Sequence, residues 1–381
     1  MGTVVNSWNE WDPLKRVILG SPVGTCNPRP DLSWNNTTKS FPNYFGPLPQ
    51  EMQDVAVEEM NAFQAAMEKR GIKVDRPKVI NTLQRTCTPD WECEFMRGCQ
   101  PPRDVFLAIG NDILESPMAL RSRWYEYIHF RDILEGYFHE DPDFMWISAP
   151  RPRLSDASFK QGFWESFYNI WTEEDKQKRA LAQNWHITEK EPLFDAADGL
   201  RFGKDVFWQP SVMTNKAGFD WISRYLRSRG FRVHEARFQE KGGMPWHLDG
   251  LLMPLRSGLC VYCPDDPFLV PQMAELFKIN DWELIPAARP VHDVNITIGA
   301  LGERHGPSWL SANTLSLDPK TICVEINELG YIEQLNKLGF EVVPLHYASS
   351  LAFGGSFHCS TVDVYREGGC EDYFPNQIPG Y

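Results

Sequence analysis

Short apolar runs that stop at a turn and then resume recur along this chain, in the pattern of β-hairpins. The first goes from Val5-Asn6-Ser7-Trp8 through Asp12-Pro13 to Arg16-Val17-Ile18-Leu19-Gly20. The second spans Asp104–Ala108, the turn Gly110-Asn111-Asp112, and Ile113–Glu115. The third joins Phe194-Asp195 to Asp205–Trp208 by way of Phe202-Gly203-Lys204. The fourth starts at His247, turns at Arg256-Ser257-Gly258 and ends with Leu259–Tyr262. The fifth runs from Asn313–Leu317 through Asp318-Pro319-Lys320 to Thr321–Glu325. The glycines, prolines and aspartates between the runs set the backbone angles such turns need.

Helical spacing separates the hairpins. Met52, Val55, Met60, Phe63 and Met67 recur at three to five residues, and Lys69-Arg70-Gly71 closes that run as a helix C-terminus does. Ser116-Pro117 predicts a helix start, continuing through Trp124, Tyr127, Ile128 and Leu134. Phe219–Leu226, Gln272–Phe277 and Ile332–Leu338 complete the set. Hairpins alternating with helices predict an α/β pseudo-repeat. The Pro-rich stretch Pro22–Pro49 reads as a loop, and Arg151–Glu191 as an insert with a helix around Phe163–Trp171. Neither resembles a linker, so residues 1–381 are expected to form one domain.

Composition narrows the class. At 381 residues with 42% apolar content, 14 Trp and 23 Phe, the chain can bury a large core. No run approaches the roughly 18–20 apolar residues of a membrane span. Met1-Gly2-Thr3-Val4-Val5-Asn6 lacks a secretory start, and Asn6 does not complete a myristoylation pattern. A cytoplasmic protein is expected. The net charge of −13 disfavours nucleic acid and anionic membranes as partners. Nine scattered cysteines argue against a disulfide framework. Cys260-Val261-Tyr262-Cys263 has metal-ligand spacing, but no second pair complements it, and its apolar surroundings predict small buried side chains.

The candidate chemistry sits at one recurrent place. Asp104, Asp195, His247 with Asp249, and Cys359 all stand at the leading ends of strand-like runs. Taken singly, a strand-end aspartate caps a turn, a histidine is structural, and a cysteine belongs to a core. Taken jointly, repeats arranged about an axis would bring these ends to one mouth. Cys359 follows Gly354-Gly355-Ser356-Phe357-His358, where glycines leave a thiol accessible. A cysteine with a histidine and a carboxylate is the composition of a thiolate nucleophile, its proton partner and an orienting group. A thiol near ~8.5 needs help to ionise at neutral pH. His247 and Asp249, two apart, would share one face of a strand. His358 would face away from Cys359, so His247 is the expected base.

At these residues a family resemblance emerges. Val5–Leu14, Arg103-Asp104-Val105, Pro117-Met118-Ala119 with Arg121-Ser122-Arg123, Phe194–Asp198, His247-Leu248-Asp249 and Phe357–Asp363 resemble the arginine:glycine amidinotransferases over nearly the whole chain. The resemblance implies the pentein fold, an α/β propeller of five pseudo-symmetric ββαβ units around a central catalytic channel. It also implies Cys359 as nucleophile, His247 as general acid/base, Asp195 as its partner, and Asp104 and Asp249 as carboxylates holding a guanidinium. The implied substrates are L-arginine and an amine acceptor, with no metal, nucleotide or redox cofactor, and the implied assembly is a homodimer.

The chain departs from the glycine-specific pattern at three places. Those relatives carry arginine at the end of a Pro-Asp-Arg run, where this chain has Pro264-Asp265-Asp266. Gly306-Pro307-Ser308 precedes Trp309-Leu310-Ser311 where they have a Ser-Ser pair, and Trp246 replaces a methionine. A carboxylate beside Asp266 would be repelled. The expected acceptor is therefore a larger or cationic primary amine, as in the saxitoxin-biosynthesis type of the family. Two alternatives stand beside it. Arg304 could receive the substrate carboxylate with glycine still accepted, or the chain could be an arginine hydrolase of the deiminase kind.

Overall fold

The computed structural model describes residues 2–35, 45–238, 247–265, 268–291, 312–381 and the backbone of 296–297 and 303–304. Five three-stranded sheets organise these residues, each made of an antiparallel pair of strands, one of which also pairs in parallel with a third. In four of them the chain order is strand, strand, helix, strand. Phe106–Ile109 and Asp112–Glu115 are followed by the helix Arg131–Glu140 and then Met145–Ser148. Gly199–Phe202 and Asp205–Trp208 are followed by Lys216–Ser228 and Arg232–Glu235. Leu252–Arg256 and Leu259–Tyr262 lead to Pro271–Ile279 and Glu283–Pro286. Leu315–Asp318 and Thr321–Glu325 lead to Leu329–Lys337 and Glu341–Leu345.

The remaining sheet corrects the first expected hairpin. Leu14–Leu19 does not pair with Val5–Trp8. Its antiparallel partner is Thr361–Arg366 near the far end of the chain, and its parallel partner is Lys73–Asp75, beyond the helix Gln50–Glu68. Asn6 and Ser7 make only isolated bridges, to Tyr365 and Gly110. A local turn cannot compete here, because Val17, Ile18 and Leu19 are wholly buried and need an apolar partner strand on each side. The other four hairpins form where the alternation places them.

Gln50–Glu68 buries Ala56, Met60, Phe63 and Met67, one apolar stripe at helical spacing, and Gly71 beyond it takes φ +78°. The helix expected from Ser116-Pro117 starts later. The chain runs irregularly past Met118, whose φ is 61°, and through short 3₁₀ turns at Arg121–Arg123 and Glu126–Phe130 before Arg131. Those turns bury Arg121, Arg123, Glu126 and His129, polar groups that need partners outside a helix. The insert holds helices Phe163–Asn169 and Glu173–Leu181, the second opened by a capping box at Thr172.

Core clusters lie between neighbouring sheets. Ile18 and Val362 pack with Phe106 and Ile113, and Leu107 and Leu114 with Val206 and Trp208. Phe202 and Phe207 pack with Leu252 and Val261 and on to Ile322, while Leu315 and Cys323 pack with Leu14 and Val17. Each sheet is thereby held to the next, and the fifth to the first. All nine cysteines are free thiols, and Cys260 and Cys263 are buried. Among the described residues, no helix is long and apolar enough to cross a membrane.

Candidate active site

The segment just ahead of each sheet's first strand contributes to one buried cluster. Pro102–Asp104, Ala196–Asp198 and Leu248–Gly250 are single 3₁₀ turns preceding Phe106, Gly199 and Leu252. Asn313 precedes Leu315, and Cys359 sits in a turn preceding Thr361. The 3₁₀ turns pack on one another, and the first also packs on Thr361–Arg366.

Cys359 is 4% exposed, with Sγ 3.3 Å from Asp249 Oδ2. Its backbone N–H donates to Asn313 Oδ1 at 3.0 Å. Burial pushes the thiol well above its ordinary range, and the negative charges of Asp249 and Asp104 push it further. A Cβ at Gly355 would lie 2.2 Å from Cys359 Cβ, so only glycine lets the turn close on the thiol.

His247 stands between two carboxylates. Its Nδ1 is 3.3 Å from Asp104 Oδ1 and its Nε2 is 3.2 Å from Asp195 Oδ2. Burial opposes a charged ring, but Asp104, Asp195 and Asp198 outweigh it and raise the group to about 10. The imidazolium is therefore the resting form at neutral pH. Asp104 Oδ2 also accepts from Arg123 Nη1 at 2.5 Å, and Arg123 donates to Glu126 Oε2 at 2.7 Å. Ligand atoms of Asp104, Asp195 and His247 lie within 4.8 Å of one another, the spacing of a cation site. Arg123 Nη1 already supplies a cation there, 3.9 Å from Asp195. A divalent ion would lie against that guanidinium.

Asp198 lies behind Asp195, its Oδ2 accepting from Ser211 and Thr214, and burial raises it to about 8. One oxygen each of Asp104, Asp195 and Asp249 is buried without a hydrogen-bond partner among the described residues. Nearby, Arg201 Nε donates to Glu10 Oε1 at 2.7 Å, and Arg201 and Arg103 reach opposite oxygens of Asp363 at 2.9 and 2.7 Å. Arg103 also donates its backbone N–H to Cys359 O at 3.2 Å.

The structure thus brings together Cys359, His247, Asp195, Asp104 and Asp249. His247 and Asp249 lie on a turn, not a strand, so they face different ways: His247 toward Asp104 and Asp195, Asp249 toward Cys359. His358 also lies on a turn and reaches Asp249, contrary to the strand-based expectation. Trp246, Asp266 and the side chain of Arg304 lie outside the described residues, as does Gly306–Ser311. Asp265 is paired with Arg289 at 3.0 Å. Sequence reasoning missed Asn313, Arg123 and Glu10 as parts of the site. Asn313 carried a usable signal, since it occupies the fifth copy of the strand-leading position.

No family model matches the sequence. Curated relatives do. The mitochondrial glycine amidinotransferase of Xenopus laevis is 34% identical over 376 residues, covering 97% of this chain and 85% of the relative. The L-arginine:L-lysine amidinotransferase of Pseudomonas savastanoi pv. phaseolicola is 34% identical over 379 residues, covering 97% and 96%. This chain belongs to the amidinotransferase family. Among solved structures, SxtG, an amidinotransferase from Microseira wollei in the saxitoxin biosynthetic pathway, superposes with a TM-score of 0.82. It is 35% identical, covering 97% of this chain and 99% of the other. The amidinotransferase relationship brings with it the pentein fold and an amidino-transferring activity.

Proposed function

We propose that this amidinotransferase takes its amidino group from L-arginine, carries it on Cys359, and delivers it to a primary amine other than glycine. The reading includes one domain whose five ββαβ units close as a propeller around the catalytic cluster. The observation that carries the chemistry is a buried thiol 3.3 Å from one carboxylate, beside an imidazole set between two others.

A guanidinium is planar, cationic and rich in N–H donors, so Asp249 and Asp104 can fix it against the sulfur. In the free enzyme burial, reinforced by those carboxylates, keeps the thiol protonated. A bound guanidinium cancels their charge, so the thiol yields its proton to solvent and the thiolate forms only when its target has arrived. The sulfur then bonds to the guanidinium carbon, the bond from that carbon to the ornithine δ-nitrogen breaks, and imidazolium His247 protonates the departing nitrogen. In the second half the acceptor amine attacks the cationic amidino-thioether and gives its proton to neutral His247. The sulfur leaves as thiolate and takes a proton back from solvent once the guanidine product departs, which restores the thiol and imidazolium of the free enzyme.

The non-glycine acceptor rests on Pro264-Asp265-Asp266, Gly306-Pro307-Ser308 and Trp246, where a carboxylate-binding cation gives way to an anion. The relatives act on different acceptors by name, glycine in one and L-lysine in another, so the family leaves room for such a change. The test measures ornithine and citrulline from L-arginine with and without candidate amines, and the mass of Cys359 under turnover. Ornithine that requires an amine, with an amidino adduct on Cys359, is the expected result. Citrulline in water alone would replace transfer by hydrolysis, and robust guanidinoacetate formation from glycine would overturn the acceptor assignment.

A further inference from the structure

His358 makes two contacts that its place in the sequence does not foretell. Its Nδ1 is 2.8 Å from Asp249 Oδ2, and its Nε2 is 3.2 Å from Glu10 Oε2. Both nitrogens face carboxylate oxygens, and a ring can donate to both only when doubly protonated. At 1% exposure the ring cannot turn to water instead. Glu10 is in turn gripped by Arg201, which also holds Asp363. His358 is therefore the link between a fixed ion network and the carboxylate that touches Cys359.

Asn313 ties the same two residues from the other side. Its Oδ1 accepts from Cys359 N–H at 3.0 Å, and its Nδ2 donates to Asp249 C=O at 2.8 Å. Each end of the amide meets a group of matching polarity, which fixes its orientation. The five strand-leading segments thus divide the work. Two of them carry Cys359 and Asp249, and Asn313, from a third, spans the gap between them.

We propose that His358 and Asn313 are positioning residues: His358 aims Asp249 so that its unpartnered Oδ1 meets the donor guanidinium, and Asn313 sets the nucleophile's backbone against that carboxylate. The inference rests on reading Cys359 as nucleophile and Asp249 as a guanidinium carboxylate. Asp249 is held ionised despite its burial, which alone would raise it, because His358 lies against it and lowers it below the usual range. Its two oxygens then have separate tasks. Oδ2 is occupied by His358 and Cys359, while Oδ1 is buried and has no hydrogen-bond partner among the described residues.

The test separates positioning from general stability. L-arginine binding is measured by calorimetry on Cys359→Ala protein, which does not turn over. His358→Phe in that background is expected to weaken binding by about tenfold or more, the scale of a lost hydrogen bond to a charged group. In an Asp249→Asn background the same change is expected to add less than about twofold, because a residue acting through another is coupled to it. His358→Asn, which keeps an N–H donor for Asp249, recovers part of the loss and carries the test if His358→Phe does not fold. Asn313→Ala is expected to lower kcat about tenfold or more while arginine affinity in the Cys359→Ala background stays within about twofold. Equal losses from His358→Phe with and without Asp249, or no loss in either, would overturn the role of His358. An unchanged kcat in Asn313→Ala would overturn that of Asn313. Failure of Cys359→Ala protein to bind arginine at all would instead strike the donor assignment.

Discussion

Cys359 Sγ and Asp249 Oδ2 stand 3.3 Å apart in a buried site, a thiol placed against a negative charge. Such a thiol is quiet until a cation arrives. Alkylation of Cys359 by iodoacetamide in the free enzyme is therefore expected to be slow at neutral pH. Its rate should keep climbing through pH 9, beyond the range of an ordinary thiol. A plateau near pH 7 would show a thiolate already formed and remove the substrate-assisted step.

Removing either carboxylate neighbour should separate binding from chemistry. Asp249→Asn and Asp104→Asn are each expected to raise the arginine KM by about tenfold or more, since each loses a charge-assisted contact to the guanidinium. Cys359→Ala is expected to abolish ornithine release. Steady-state kinetics across the three variants checks this, and full turnover by the alanine variant would end the covalent mechanism.

His247 links the site to stability. Its folded-state value is raised to about 10, so the stabilisation it contributes is complete below its unfolded value near ~6.5. That contribution is lost as pH rises through about 10. Asp198, raised to about 8 by burial, acts in the same direction between the ordinary carboxylate range and pH 8. Thermal midpoints are expected to fall from pH 6.5 to 10, and to fall less in His247→Asn. An equal slope in both proteins would contradict the assignment.

Gly355 allows the nucleophile's turn to close, because a Cβ there would meet Cys359 Cβ at 2.2 Å. Gly355→Ala is expected to cut kcat by about a hundredfold, the scale of a displacement near 1 Å at a reacting atom. Near-normal kcat would mean that the turn can shift without moving the sulfur.

Arg201, 1% exposed, joins Glu10 to Asp363 under the site. Arg201→Met leaves two buried carboxylates short of a partner and is expected to cost about 3–5 kcal/mol in a denaturant titration. A loss below about 1 kcal/mol would show that Arg103 and Arg366 neutralise the cluster alone.

Four of the five hairpins were legible because their turns and alternating strands are adjacent in the chain. The pairing of Leu14–Leu19 with Thr361–Arg366 was not, since no local pattern announces a partner some 350 residues away. Asp104, Asp195, His247, Asp249 and Cys359 could be picked out by their common place ahead of strands. Their orientations could not. A strand rule of alternating faces was applied to His247, Asp249 and His358, yet all three sit on turns, where side chains fan outward and contacts depend on what lies opposite. Arg123 and Glu10 escaped notice for a related reason: buried ion pairs look like ordinary surface charges until their partners are known. Asn313 was the omission that symmetry would have repaired.

The seam between Leu14–Leu19 and Thr361–Arg366 has a consequence for how the enzyme is made. Cys359 stands just ahead of Thr361–Arg366, a strand synthesised long after Leu14–Leu19, which it joins. A nascent chain therefore carries Asp104, Asp195, His247 and Asp249 before Cys359 has been made. The buried cluster is complete only when these two distant strands are stitched together, so a chain that stops short of Cys359 lacks both the thiol and the strand that seats it.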